Sequence, residues 1–272
     1  MIILDGEKLS EELLGKIRQE IEKKQLCLKL AVVLAGDNLV SKSYINKKQR
    51  AAKAAGISFD FFSFPESISE ENLKKEIEKL ADDKNISGIV VQLPLPENIN
   101  SRQILNLVPK EKDADVLSEY VFNEFAQNKT EIFPPVVGAI KHLLEKYKID
   151  IKSKKIVLIG KGQLVGKPVS AWLSNLKADF IVLDRSVKDI SLDLKNADII
   201  ISGAGSPEIV KKDMIKQGAV LIDAGTSSED GKIKGDIEKE AYKKASYVAP
   251  VPGGVGPMTI ACLLENILKL NK

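Results

Sequence analysis

The sequence predicts an α/β protein of two domains built on parallel sheets, and three observations carry that reading. The chain has 272 residues, where a domain takes about 100–200. Helix-period segments alternate with short strand-like ones from end to end. The strand-like runs, such as LAVVLA at 30–35 and AVLIDAG at 219–225, lack polar alternation, as strands covered on both faces do.

The elements follow in order. Leu9, Leu13, Leu14, Ile17 and Ile21 repeat at helical spacing ahead of the 30–35 strand. A second helix covers Ser43 to Ala55 and stops at Gly56, a left-handed terminator. ISFDFFSF at 57–64 reads as a strand. Ser69 to Leu80, acidic early and basic later, reads as a surface helix. GIVVQL at 88–93 is a buried strand closed by the prolines of PLPEN. This β-α-β-α-β order implies right-handed crossovers and a parallel sheet. From 109 to 134 sustained periodicity is lost and prolines gather, which places a domain boundary near 135. A helix over Val137 to Tyr147 links the halves. A second series then runs through KIVLIG (155–160), a helix from Gly166, FIVLD (180–184), DIIIS (198–202) and AVLIDAG. The last helix, Pro257 to Leu270, opens with a proline suited to a first turn.

Composition excludes several classes of function. Lys and Arg number 41 against 38 Asp and Glu, a net +3, and the basic residues are scattered. A nucleic-acid binder shows a basic face, so none is expected as partner. No run approaches the 18 or so apolar residues that span a membrane, so no membrane partner is expected either. Ahead of Asp5 stand only Ile2, Ile3 and Leu4 after Met1, too few for a signal-peptide core. Two cysteines, Cys27 and Cys262, make neither a disulfide framework nor a zinc site, and the expected location is the reducing cytoplasm.

The sharpest local signal is the strand-to-helix turn KIVLIGKGQLVGKP, with Gly160, Gly162 and Gly166 spaced G-x-G-x-x-x-G. Glycines let a backbone approach a pyrophosphate, and the helix N-terminus supplies free N–H donors. Asp184 ends the next strand, where a carboxylate accepts bonds from ribose hydroxyls. Gly203, Gly205 and Gly225 stand at further strand ends, where open α/β sheets bind ligands. In the first half, Tyr44 and Lys48 sit four apart on a helix and face one side. A lysine desolvated beside a ring has a lowered pKa and exchanges protons near neutrality. The spacing alone suits a solvated lysine beside a packed tyrosine better. Short-chain dehydrogenases carry Tyr-x-x-x-Lys after their glycine loop, whereas here it precedes the loop by more than a hundred residues.

Taken together, SKSYINKKQRAAKAAGI, GIVVQLPLP, KDAD, GKGQLVGKP and above all PVPGGVGPMT at 250–259 resemble the bifunctional methylenetetrahydrofolate dehydrogenase/cyclohydrolase family, in order and along nearly the whole chain. The resemblance implies an N-terminal α/β folate-binding catalytic domain, 1–135, and a Rossmann-type NAD(P)-binding domain, 136–256. The C-terminal helix, 257–272, would pack back on the first. It implies oxidation of 5,10-methylenetetrahydrofolate with NAD(P)+ and hydration of the methenyl product to 10-formyltetrahydrofolate, so tetrahydrofolate derivatives are the expected partners. It also implies a homodimer formed mainly through the nicotinamide domain; no metal is expected.

The same resemblance distributes roles. Lys48 matches the catalytic lysine that shuttles protons, and Tyr44 the tyrosine that stacks on folate. Gln92 matches the glutamine that orients the lysine, and Asp115 the carboxylate that grips the pterin's amino edge. Pro252, Gly253 and Gly254 match a loop that closes against folate. Three departures stand out. Val116 follows Asp115 where the family has glycine, Phe133-Pro134-Pro135-Val136 replaces a Pro-Cys-Thr-Pro stretch, and Lys161-Gly162 replaces Arg-Ser. For the cofactor, Asp184 suits the 2′-hydroxyl of NAD, while Arg185 and Lys161 suit the phosphate of NADP; the balance leans to NAD. The rival readings are a shikimate- or amino-acid-type dehydrogenase, or a nucleotide-binding protein without turnover.

The remaining candidates read as structural. His142 stands apart from any ligand pattern, Cys27 and Cys262 read as buried small hydrophobes, and Trp172 as core. Asp223 and Asp236 suit turn or capping roles at least as well as contact with ribose.

Overall fold

The computed structural model describes residues 1–229 and 232–272. Along the chain come β1 (Ile2–Ile3), α1 (Gly6–Lys24), β2 (Lys29–Ala35), α2 (Leu39–Ala55), β3 (Ser58–Phe64), α3 (Glu70–Asp82) and β4 (Gly88–Val91). Three helices follow, α4 (Ser101–Leu105), α5 (Glu119–Ala126) and α6 (Pro135–Lys146). Then come β5 (Ile156–Ile159), α7 (Gly166–Asn175), β6 (Phe180–Leu183), α8 (Ser191–Asn196), β7 (Ile199–Ser202) and β8 (Val220–Asp223). A hairpin of β9 (Ser227–Glu229) and β10 (Lys232–Lys234), β11 (Tyr247–Ala249) and α9 (Val255–Leu270) complete the order. The parallel α/β class read from the sequence is what the chain adopts.

Two compact units emerge: Glu11–Pro135 with Ile260–Lys272, and Met1–Ser10 with Val136–Thr259. The first holds a parallel sheet in the order β3-β2-β4. Ala31, Val33 and Ala35 on one face of β2 bury with Ile89 and Val91 of β4 against Leu73, Ile77 and Leu80 of α3. Ser69 caps α3 by accepting from the Asn72 amide at 3.2 Å, and Gly56 ends α2 at φ +76°, the left-handed conformation foreseen for it. The C-terminal helix packs here too: a Cβ on Gly88 would stand 2.9 Å from Ile267 Cγ1.

The second unit holds a six-stranded, all-parallel sheet in the order β1-β11-β8-β7-β5-β6. Val157, Ile159, Ile200 and Leu221 lie in one buried cluster with Leu194, Val210 and Val248.

Three expectations need correction. Residues 1–10, placed with the first domain from sequence, belong to the second unit, because β1 pairs with β11 at its sheet edge. Two residues are too few to show a strand period. The 109–134 stretch, read as irregular, contains α5, capped by Ser118 and burying only Val121 and Phe125. Cys27 is exposed, since the apolar run holding it lies in the connection between α1 and β2, after Gln25 turns left-handed at φ +52°. Cys262 and Trp172 are buried as read.

Candidate functional site

In the first unit, α2 and the end of β4 bring the proposed catalytic side chains together. Tyr44 and Lys48 stand one turn apart on α2, and Gln92 directly follows β4. Lys48 is only 7% exposed, unusual for a lysine. Its Nζ donates to Gln92 Oε1 at 3.0 Å, and Gln92 Nε2 donates to the Leu93 carbonyl at 2.9 Å. The second bond decides which end of the amide faces the lysine, so Gln92 presents an acceptor. Burial pushes the Lys48 ammonium below the ordinary lysine range, and the Asp115 carboxylate opposes that fall. Burial also raises the Asp115 carboxyl, with Lys48 pulling it back and Asp113 adding to the rise. The Tyr44 phenol is pushed up by burial and then by Asp115. Asp115 thus acts on both Lys48 and Tyr44, and the ring of Tyr44 carries Lys47 Nζ 5.9 Å from its centroid.

Asp115 is held by a loop that two unforeseen residues brace. Asp113 Oδ1 accepts from the Leu117 amide at 3.2 Å and Oδ2 from the Ser118 amide at 2.9 Å. Asn266 of α9, 2% exposed, donates through Nδ2 to the carbonyls of Ala114 (2.9 Å) and Phe133 (2.7 Å). It therefore ties the Asp115 loop to the Phe133-Pro134-Pro135 segment. A polar residue within the apolar pattern of α9 was the available signal. Val116 adopts φ +57°: a β-branched residue sits in the left-handed conformation that favours glycine.

In the second unit, the glycines and Asp184 gather at the C-terminal ends of adjacent parallel strands. Gly160 follows β5, Asp184 follows β6, Gly203 and Gly205 follow β7, and Gly225 follows β8. Gly160 has φ +100°, and a Cβ there would stand 2.6 Å from the Gly203 carbonyl oxygen. A Cβ on Gly166 would collide with the Gly160 carbonyl. Gly162 is exposed with open space around it. No side chain caps the N-terminus of α7, which leaves its end as a site for a phosphate. These features fit a dinucleotide.

Strand β6 ends at Leu183, so Asp184 belongs to the turn. Its Oδ1 accepts from the Ser186 amide at 2.9 Å, and its Oδ2 pairs with Lys161 Nζ at 2.6 Å. The Lys161 bond, then the Ser186 bonds, hold the Asp184 carboxyl far below the usual carboxylate range. Arg185 is exposed in the same turn. Pro252, Gly253 and Gly254 follow β11; Gly253, at φ +104°, accepts the Gly6 amide at 2.9 Å. Asp223 and Asp236 are fully buried and accept from backbone amides of neighbouring turns. His142 is half-buried on α6. Among the described residues no group of three or more His, Cys, Asp or Glu side chains is placed to hold a metal ion.

Comparison with known proteins accounts for both units. Residues 4–115 match the tetrahydrofolate dehydrogenase/cyclohydrolase catalytic domain, and residues 134–272 the NAD(P)-binding domain of the same family. Bifunctional protein FolD of Nautilia profundicola is 39% identical over 277 residues, covering 100% of this chain and 98% of its own. The crystal structure of the bifunctional enzyme FolD, a methylenetetrahydrofolate dehydrogenase/cyclohydrolase from Campylobacter jejuni, is 38% identical with a TM-score of 0.93. It covers 99% of this chain and 98% of its own. The Trypanosoma brucei N5,N10-methylenetetrahydrofolate dehydrogenase-cyclohydrolase, complexed with NADP and an inhibitor, is 30% identical with a TM-score of 0.94. Its alignment covers 99% of this chain and 96% of that one. A shikimate dehydrogenase from Aquifex aeolicus also aligns over 90% of this chain, but at 18% identity and a TM-score of 0.57, a likeness of fold alone; the family models and the relatives near 39% identity favour the folate enzymes over that rival. The chain belongs to the tetrahydrofolate dehydrogenase/cyclohydrolase family.

Proposed function

We infer that the chain oxidises 5,10-methylenetetrahydrofolate to 5,10-methenyltetrahydrofolate with NAD(P)+ and hydrolyses that product to 10-formyltetrahydrofolate. The observation that carries the reading is a buried lysine with lowered basicity, Lys48, hydrogen-bonded at 3.0 Å to Gln92 in a chain of this family.

The hydrolysis needs a proton taken from water as it adds to the methenyl carbon, and a proton delivered to N5 as the C–N5 bond breaks. Lys48 suits both steps, because burial makes its neutral amine accessible. Gln92 holds the amine in place by accepting a hydrogen bond from it. Tyr44 offers a ring on which the pterin stacks. Asp115 offers two oxygens to adjacent N–H donors of the pterin. For the oxidation, nicotinamide supplies the hydride acceptor when bound. Gly160, Gly162 and Gly166, with the start of α7, would hold the pyrophosphate, and Asp184 the adenosine ribose. Gly203, Gly205, Gly225 and the Pro252-Gly253-Gly254 loop would line the remainder of the sites.

Within the nicotinamide pair the preference is for NAD. Asp184 follows its strand where a 2′-hydroxyl would be bound, and Lys161, the cation best placed to offset it, is already paired with it. Arg185, in the adjoining turn, is the competing influence. A homodimer formed through the NAD(P)-binding domain is supported by the open edge strand β6, whose Ile181 is 42% exposed. No helix among the described residues is long and apolar enough to cross a membrane, which is consistent with a cytoplasmic enzyme.

The test is absorbance-monitored oxidation of 5,10-methylenetetrahydrofolate with NAD+ and NADP+ in parallel, followed by decay of added 5,10-methenyltetrahydrofolate. Both activities are expected. Turnover of neither substrate by folded protein would refute the reading.

A further inference from the structure

Beneath the nucleotide-binding strand ends lies a pair of carboxylates that the proposed chemistry does not use. Asp223 and Asp236 are both 0% exposed. Asp236 Oδ2 accepts from Ser202 Oγ (2.7 Å), the Ala204 amide (2.8 Å) and the Gly205 amide (3.3 Å), and its Oδ1 accepts from the Ser206 amide (2.8 Å). One buried carboxylate therefore gathers four donors from five consecutive residues at the end of β7. Such a nest of N–H groups is the kind that elsewhere binds a ligand anion. Here the anion is the protein's own.

Asp223 supports this arrangement from the next strand. Its Oδ1 accepts from the Gly225 and Asp236 amides, both at 3.1 Å, and its Oδ2 from the Ile237 amide at 2.9 Å. Burial, reinforced by the neighbouring Asp236, pushes the Asp223 carboxyl up to about 7. Gly225 is glycine for the same reason, since a Cβ there would land on the Asp236 carboxylate.

The loop that Asp236 shapes is the one on which the glycine loop rests. The Gly203 carbonyl would stand 2.6 Å from a Gly160 Cβ, and the Val165 side chain fills the place where a Gly203 Cβ would be. The amides of Ala204, Gly205 and Ser206 are committed to Asp236. The pyrophosphate is then left to Gly160–Gly166 and the start of α7.

We infer that Asp236 is a positioning residue for the nicotinamide cofactor: it fixes the 202–206 loop, and through Gly203 the glycine loop, in the conformation that binds the dinucleotide. The inference rests on the NAD(P)-binding assignment of this unit.

Asp236→Asn keeps the shape of the side chain but turns an N–H₂ toward backbone N–H donors. Calorimetric titration of the folded variant with NAD+ and with NADP+, without folate, is expected to give a Kd at least tenfold weaker than wild type for the preferred cofactor. In turnover, KM for that cofactor is expected to rise tenfold while kcat at saturating cofactor changes less than threefold. Ser202→Ala removes one of the four donors and leaves the carboxylate; about threefold weaker binding is expected, and this variant decides the matter if Asp236→Asn does not fold. A lowered melting temperature with wild-type cofactor affinity would overturn the inference, because Asp236 would then serve stability alone. Wild-type protein that binds neither dinucleotide would instead refute the cofactor assignment itself, so the two failures are distinguishable.

Discussion

Lys48 on α2 donates to the Oε1 of Gln92, the residue that closes β4, at 3.0 Å. This bond links a side chain of α2 to the residue that follows β4, and it orients an amine that burial has made less basic. An exposed lysine at the same position would be protonated and mobile at neutral pH. The bond and the burial together suit Lys48 to the proton-carrying role proposed for it.

If Lys48 carries protons as proposed, Asp115 is expected to set where on the pH scale it works. Its carboxylate opposes the burial-driven fall in the Lys48 pKa. Neutral lysine is the base, so the cyclohydrolase rate should rise with pH through the Lys48 pKa. Removing the carboxylate favours the neutral amine, so Asp115→Asn is expected to move this limb to lower pH. Asp115→Ala is expected to raise the folate KM at least tenfold with little change in cofactor affinity. Rate profiles across pH and steady-state KM values check both; an unmoved limb or unchanged folate kinetics would count against the role of Asp115.

Val116 at φ +57° reverses a familiar ranking. At an ordinary buried position, cutting Val to Gly costs about 0.5–1 kcal/mol more than cutting it to Ala, because glycine loses more backbone entropy. Here alanine keeps the left-handed penalty of about 1–2 kcal/mol and glycine escapes it. Val116→Gly is therefore expected to be at least as stable as Val116→Ala in urea melts. A glycine variant weaker than the alanine variant by about 1 kcal/mol would show that the loop pays no such penalty.

The proposed cofactor preference is tested at the Asp184 turn. Asp184→Ser removes the carboxylate that would repel a 2′-phosphate and frees Lys161 from its 2.6 Å ion pair. The kcat/KM ratio of NADP to NAD is expected to rise tenfold or more. A wild-type preference for NADP of tenfold or more would mean that Lys161 and Arg185 set the choice.

Much of the framework was legible because its signals are local. LAVVLA, KIVLIG and AVLIDAG are apolar runs of strand length, Gly56 is a terminator in the right place, and the glycine loop stands between a strand and a helix. Lys48 and Tyr44 were visible as a pair, although spacing alone gave no sign that Lys48 would be buried. The sequence was silent where the partner is remote. Asn266 meets Ala114 across 152 positions and Asp236 meets Ser202 across 34, and no periodicity links such pairs. Ile2–Ile3 is a strand only because β11 is there to pair with it. Cys27 was misread because the apolar residues around it span a helix end and a strand start, where the burial pattern breaks.

The central claim, that Lys48 carries the proton transfers of the hydrolysis, is tested most directly by the rate at which Lys48→Met consumes 5,10-methenyltetrahydrofolate, followed by its absorbance. Methionine fills the buried site without a titratable group. General acid–base groups are worth about 100- to 10,000-fold, and a loss in that range is predicted, with NAD(P)+ affinity retained because the residues proposed to bind the dinucleotide belong to the other unit. A folded Lys48→Met protein that hydrolyses the substrate at close to the wild-type rate would contradict the account.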